Sequence, residues 1–299
     1  MKKLKVSLAV LLLFISSQNV TAQRVVILGL DGFSAEAFNK IKHPNIDQLL
    51  AQGLISVTTR PVMPSVTLPN WTSHLTGSGP EEHGITSNNW TLTDHPLKAI
   101  EIDEDGYSPS IFKVLKTAKP KAKTAFYYNW PELINPFNKK YIDEVSFEEN
   151  DSYTKNYQKA IDFIAKNQQS PTLVFLYSVH TDHVGHANKW MSVPYIAAVE
   201  EADKAIGDFV DQLKKENLFE DTYFLLITDH GGIESGHGGV TMNEMQVPWG
   251  ITGPKIKKLG LTDAFYNSNK NTSLVISKIF GLKELPKSWT GVASKEIFR

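Results

Sequence analysis

Three aspartates, three histidines and a threonine, all of types that bind metal or attack phosphorus, stand at or near the ends of apolar runs. They are Asp31 in Val25-Val26-Ile27-Leu28-Gly29-Leu30-Asp31-Gly32, Asp182 and His186 in Asp182-His183-Val184-Gly185-His186, Asp229 and His230 in Thr228-Asp229-His230-Gly231-Gly232, His237 in Gly236-His237-Gly238, and Thr67 in Pro64-Ser65-Val66-Thr67-Leu68-Pro69-Asn70. One buried Asp or His alone is commonly a hydrogen-bonded structural residue. Together the set reads as a two-metal hydrolase site. Phosphate-ester hydrolysis needs an in-line nucleophile, positive charge on the equatorial oxygens and help for the leaving oxygen, and a pair of metal ions supplies the last two. The mixture of imidazole and carboxylate suits zinc best, with manganese or iron as alternatives.

The spacings say what backbone must carry these groups. Asp182 and His186 are four apart, so one helical turn brings both to the same face, with Gly185 between them for close backbone approach. Asp229 and His230 are adjacent and would point to opposite faces of a regular strand; the irregular strand end signalled by Gly231-Gly232 lets both reach one point. The run Trp71 to Gly77 reads as a short helix ended by glycine, which puts Thr67 near a helix N-terminus whose free N–H groups favour a phosphoryl oxygen. On chemistry alone Ser65 is a rival nucleophile.

Short, nearly continuous apolar runs at 24–30, 124–128, 172–179 and 223–228 alternate with helical patterns, which predicts an α/β fold with a largely parallel sheet covered on both faces. The clearest helix spans about Val193 to Leu213, capped by Ser192 with Pro194 in its first turn; others are expected over Ser152–Lys166 and after Asn45 and Thr272. Ligands of open α/β sheets bind beyond the carboxyl ends of strands. Asp31, Asp182 with His186, and Asp229 with His230 all follow strand-like runs, so they should converge at one sheet edge.

With 41% hydrophobic and 21% charged residues in 299, the chain suits a well-packed single domain, residues 23–299, with a small cap or insert at about 88–150 where Asp, Thr, Pro and Gly accumulate. Lys2, Lys3 and Lys5 precede an apolar stretch too short to span a bilayer, and Val20-Thr21-Ala22 offers a cleavage site; residues 1–22 read as a secretory signal peptide, leaving no stable membrane anchor. The remainder carries 28 Lys+Arg against 32 Asp+Glu, a formal charge of −4, with no sustained basic stripe, which argues against a nucleic-acid surface. Having no cysteine, the chain has no disulfides and no thiolate metal site.

The motif order also carries a resemblance. Asp31-Gly32 after the first strand, Pro64-Ser65-Val66-Thr67-Leu68-Pro69-Asn70, His83-Gly84-Ile85 with Asn88, Asp182 with His186, Asp229-His230-Gly231 and His237-Gly238 resemble the alkaline phosphatase superfamily, and within it the type I phosphodiesterase/nucleotide pyrophosphatase family. The resemblance implies an alkaline-phosphatase-like three-layer sandwich. It further implies that Asp182, His186 and His237 hold one zinc ion, that Asp31, Asp229, His230 and Thr67 hold the other, and that Thr67 forms a covalent phospho-threonine later released by water. Asn88, twenty-one residues past Thr67, would donate to a non-bridging phosphoryl oxygen.

Departures from the family pattern bear on substrate. Nucleotide-binding members carry an aromatic ring just after the nucleophile, where this chain has Leu68, and losing such a stack weakens base binding by about 1–3 kcal/mol. Threonine-dependent monoesterases place Lys and Arg after the strand that here reads Tyr127-Tyr128-Asn129-Trp130-Pro131-Glu132; a missing cation favours a singly charged diester. Against this, His83 to Trp90 also resembles the monoesterase branch. Leu68, Tyr128 and Trp130 are the candidate substrate contacts, with core packing as the competing role for the aromatics. The expected protein is a periplasmic or secreted two-zinc phosphodiesterase acting on a nucleotide or other small phosphodiester. Phosphomonoesterase, phosphonate hydrolase and non-catalytic zinc-dependent binding of phosphate ligands are the alternatives. The histidines other than His186, His230 and His237 are read as structural or surface residues, with His180 and His183 close enough to Asp182 to reach substrate.

Overall fold

The computed structural model describes residues 23–149 and 151–299; the expected signal peptide lies outside the described residues. Eight strands form one sheet: β1 (Arg24–Leu30), β2 (Leu54–Thr59), β3 (Lys123–Tyr128), β4 (Glu144–Phe147), β5 (Thr172–Ser178), β6 (Thr222–Ile227), β7 (Val247–Thr252) and β8 (Gly260–Leu261), in the order β4-β3-β5-β1-β6-β7-β2-β8. The helices are α1 (Ala35–Lys40), α2 (Pro44–Leu50), α3 (Thr67–Thr76), α4 (Pro80–His83), α5 (Ile111–Ala118), α6 (Tyr153–Lys166), α7 (His180–Asn188), α8 (Val193–Lys215), α9 (Met242–Met245) and α10 (Thr272–Phe280). All strand pairings are parallel except those of β7, which runs against both β6 and β2.

Why the central strands read as unbroken apolar runs is clear from the layers. Val25 and Ile27 of β1, Phe175 and Tyr177 of β5 and Leu225 and Ile227 of β6 pack with Trp71 and Leu75 of α3, Phe112 of α5 and Ile276 of α10. The alternate residues Val26, Leu28, Val174, Leu176, Phe224 and Leu226 pack with Ile46 and Leu49 of α2, Ile161 of α6, and Val199, Ile206 and Phe209 of α8. With both faces covered, every second residue is apolar toward a different helical layer. This is the three-layer sandwich.

Within residues 88–149, a loop to Ser110 and two 3-10 turns at Pro131–Ile134 and Lys139–Tyr141 are irregular, while α5, β3 and β4 belong to the main layers. The helix expected from Trp71 starts four residues earlier, at Thr67. Val66 is extended and Pro69 sits in the first turn, where a missing N–H costs nothing, and Gly77 ends the helix in the left-handed conformation at φ 64°. Ser192 caps α8 by accepting from the Tyr195 N–H, as its sequence position predicts.

Candidate metal centre

Strands β5, β1 and β6 lie side by side, and their carboxyl ends are in register: Leu30 pairs with Ser178 and Gly29 with Ile227. Asp31 leaves β1 with its N–H bonded to the Ser178 carbonyl (2.9 Å). Asp182 lies in the first turn of α7 just beyond β5, one helical turn before His186. Asp229 and His230 leave β6 in a stretch without regular structure, so the period-two constraint of a strand no longer separates them. A Cβ at Gly231 would lie 1.9 Å from the Asn243 carbonyl oxygen, which is why that turn needs glycine.

Two donor groups result. The inner one is Asp31, Asp229 and His230; the outer one is Asp182, His186 and His237; within each, one ligand atom per residue lies within 4.8 Å of the others. His230 Nε2 is 3.0 Å from Asp229 Oδ2 and 3.6 Å from Asp31 Oδ1, and Thr67 Oγ1 is 3.3 Å from the same nitrogen. In the outer group Asp182 lies 3.4 Å from His186 Nε2 and 3.8 Å from His237 Nε2. The His230 and His237 rings stack at 3.7 Å and join the two groups.

These residues fit a pair of cations. Each of the three imidazoles donates its Nδ1–H to a backbone carbonyl: His230 to Gly231 (2.9 Å), His237 to Ser65 (3.0 Å) and His186 to Ser235 (2.9 Å). That orients each ring with Nε2 toward the carboxylates, the nitrogen that a metal ion would take once any proton on it has left. Asp31 Oδ1, Asp182 Oδ1 and Asp229 Oδ2 are buried and have no hydrogen-bond partner, a costly state for a carboxylate oxygen unless a cation faces it. The electrostatics agree. Burial first, then Asp229 and Asp182, pushes the Asp31 carboxyl well above its usual range. Burial opposes charge on His230, but Asp229, Asp31 and Asp182 outweigh it and hold the ring up at about 10. Burial and the neighbouring His230 lower His237 to about 3, so that it is neutral and able to donate its lone pair at physiological pH.

A pocket of about 220 Å³ opens over the outer group, lined by Thr67, Asn88, Trp130, Val179, Asp182, His183, His186 and His237. Asn88 Oδ1 accepts from the Leu68 N–H (2.8 Å), so one of the first-turn N–H groups of α3 is taken by Asn88. Trp130 lines the pocket, whereas the Leu68 side chain is fully buried with Ile85 and Trp90, and Tyr128 packs with Phe126 and Phe147. Ser65 is buried, with its hydroxyl donated to the Gly239 carbonyl (2.7 Å). Of the other histidines, His74 and His83 are buried in hydrogen-bonded positions, and His183 faces the pocket with Nδ1 3.0 Å from Asp151.

Several residues that support the site carry no sequence signal of doing so. Trp190 Nε1 and the Tyr195 hydroxyl both donate to the Gly32 carbonyl (2.9 and 2.8 Å), and Gly32, at φ 66°, donates its N–H to Asp229 Oδ1 (3.1 Å). Asn70 holds the loop that leads to Thr67: its Nδ2 donates to the Val62, Pro64 and Val66 carbonyls, and its Oδ1 accepts from Val62 N. The Pro69-Asn70 pair was visible as a motif, but a role realised through backbone contacts leaves no spacing to read.

Residues 25–247 match the family model of type I phosphodiesterase / nucleotide pyrophosphatase. The chain belongs to this family. Membership places it in the alkaline phosphatase superfamily, as the motif order implied. Among curated relatives, it is 26% identical over 227 residues to an uncharacterized pyrophosphatase/phosphodiesterase of Schizosaccharomyces pombe, covering 73% of this chain and 46% of that one. It is 29% identical over 220 residues to human ectonucleotide pyrophosphatase/phosphodiesterase family member 1, covering 69% and 23%. The chain thus spans less than half the length of these relatives. In fold it is similar to murine ectonucleotide pyrophosphatase/phosphodiesterase 5, solved as an inactive threonine-to-alanine variant in complex with AMP, with a TM-score of 0.73, 15% identity and coverage of 89% of this chain and 96% of that one.

Proposed function

We propose that the chain is an exported two-zinc phosphodiesterase that cleaves a phosphodiester or pyrophosphate bond of a small substrate through a phospho-threonine. The observation that carries this reading is the composition of the pocket: Thr67 and both the His186 and His237 ligands line it, and none of its lining residues is Lys or Arg. A dianionic monoester would lack a side-chain cation for its extra charge, whereas a diester carries one charge and needs none.

Asp31, Asp229 and His230 would hold one ion with Thr67, and Asp182, His186 and His237 the other. When bound, two such ions lower the pKa of a coordinated hydroxyl and neutralise charge on the phosphoryl oxygens. Thr67 Oγ1 attacks phosphorus, forming an O–P bond as the bond to the leaving oxygen breaks; water then cleaves the phospho-threonine and restores the hydroxyl. Asn88, anchored through Oδ1 to the Leu68 N–H, has its Nδ2 free to donate to a non-bridging oxygen. With Leu68 buried, a base or other flat leaving group would rest on Trp130. The AMP complex of the structurally similar murine protein supports a nucleotide. Export rests on reading residues 1–22 as a signal peptide; among the described residues no helix is long and apolar enough to cross a membrane.

The test compares hydrolysis of bis-p-nitrophenyl phosphate and p-nitrophenyl phosphate by the zinc-loaded protein, before and after chelation. A chelator-sensitive preference for the diester is expected. A preference for the monoester would overturn the charge argument, and tight binding of diesters without turnover would leave a binding protein.

A further inference from the structure

The two donor groups differ in how the chain restrains their carboxylates. Asp31 Oδ2 accepts two hydrogen bonds, one from the Tyr177 hydroxyl and one from Trp71 Nε1 (3.2 Å), while Oδ1 has none. Asp229 Oδ1 accepts from the Gly32 N–H, leaving Oδ2 without a partner. Each inner carboxylate therefore offers one oxygen in a fixed direction. The two donors on Asp31 are themselves immobile. Tyr177 packs edge-on against Trp71 with ring centroids 5.3 Å apart, and Trp71 lies so close to β1 that a Cβ on Gly29 would sit 2.8 Å from the indole. The side chains of Asp31, Asp229 and His230 are all 0% exposed.

The outer group is held differently. Among the described residues no backbone or side-chain donor makes a hydrogen bond to Asp182; its close polar neighbours are the ligand imidazoles of His186 and His237. The His186 side chain is 42% exposed at the pocket mouth. Among the described residues neither Asp182 oxygen is held by a hydrogen bond of the kind that fixes Asp31, and His186 of the outer set faces solvent.

We propose that Tyr177 and Trp71 are positioning residues that lock Asp31 as a one-oxygen ligand and make the inner site the tighter of the two, with the outer site the one that exchanges its ion. The inference rests on the two-metal reading above. Partners that orient a ligand in this way change metal affinity by about 10–100-fold when removed.

The experiment is a titration of the metal-free full-length protein with Zn²⁺ in competition with a chromophoric chelator, repeated with Co²⁺ to follow its visible absorption. Two binding constants are expected. His186→Ala should remove the weaker event. Tyr177→Phe, which keeps the ring and deletes the donor, should weaken the tighter constant 10–100-fold, alter the Co²⁺ spectrum of the first equivalent and leave the weaker constant unchanged. Trp71→Phe repeats the test through the other donor, should one variant fail to fold. Tyr223→Phe, a buried tyrosine at the amino end of β6, away from the ligands, should move neither constant. An unaltered tighter constant in Tyr177→Phe, or loss of the tighter event in His186→Ala, would overturn the proposal. Equal constants in the parent protein would also sink it while leaving two metals in place, whereas a parent that binds no ion would refute the two-metal reading itself.

Discussion

Thr67 and Ser65 are two residues apart and both carry hydroxyls, yet their surroundings separate them. Ser65 donates its proton to the Gly239 carbonyl and accepts on its own carbonyl from His237 Nδ1, so it is part of the framework that orients the His237 ring. Thr67 Oγ1 faces His230 Nε2 at the floor of the pocket. Thr67→Ala should therefore lower turnover of the diester by roughly 10³-fold or more, as removal of a nucleophile does elsewhere, while the three Asp and three His ligands still bind metal. Steady-state rates and metal content measured on the same preparation check both halves. Turnover that survives in Thr67→Ala would transfer the attack to water or to Ser65.

Among the elements, the junction of α3 and α4 joins the helix that begins at Thr67 to the segment that carries Asn88. His83, the last residue of α4, accepts the Ile85 N–H on Nδ1 (3.0 Å) and meets the Ser73 hydroxyl with Nε2 (3.0 Å); that hydroxyl already donates to the Pro69 carbonyl, so Nε2 carries the hydrogen and the ring is neutral. A second proton on Nδ1 would face the Ile85 N–H. Burial lowers the ring to about 3 in the folded protein, against about 6.5 when unfolded. Above the unfolded value neither state binds the proton and the group has no effect. As pH falls below 6.5 the unfolded chain takes up a proton that the folded one refuses, so stability drops, by about 2 kcal/mol at pH 5 from this group. His83→Asn keeps an acceptor for Ile85 and removes the titration. Denaturant unfolding from pH 7 to pH 5 should show a flatter loss of stability in the variant than in the parent; equal slopes would mean that His83 is protonated in the folded state.

The strands β1, β5 and β6 were legible because burial on both faces writes an uninterrupted apolar run, and the side chains after them were legible because a parallel sheet gathers whatever follows its carboxyl ends. Strands β2, β4 and β8 are absent from the sequence reading: β4 and β8 are short and bury no residue, and the apolar run of β2 stops after Ile55. Nor could the direction of β7 be read, since a strand's side chains look alike whichever way its neighbours run. Tyr177, Trp71 and Trp190 act on Asp31 and Gly32 across 146, 40 and 158 residues of chain, and contacts of that separation leave no local pattern. Leu68 is a candidate contact because the resembled family carries an aromatic ring at that position, and Tyr128 because it ends a strand; both side chains turn to another face and pack into apolar clusters.

For the whole molecule, gathering three carboxylates in a buried centre has a thermodynamic consequence that reaches every layer. Asp31, Asp182 and Asp229 belong to the ends of β1, α7 and β6, and the rings of His230 and His237 tie these ends to the loop that precedes α3. Metal that binds this arrangement and not the unfolded chain stabilises the fold by RT ln(1 + [L]/Kd), about 2.7 kcal/mol for each site at a hundredfold excess over Kd. For a domain of this size 1 kcal/mol corresponds to about 2–4 °C in Tm, so saturating both sites should raise the midpoint by roughly 10–20 °C. The rise should follow the logarithm of free Zn²⁺ concentration rather than reach a plateau once the sites are filled, because the linkage term keeps growing with ligand. Calorimetric scans at buffered free zinc, with and without a chelator, measure it. A midpoint indifferent to zinc would mean that the donor groups do not bind it in the folded state, and Asp182→Asn, which weakens one site, should reduce the slope against log[Zn²⁺] over the range where only that site is filling.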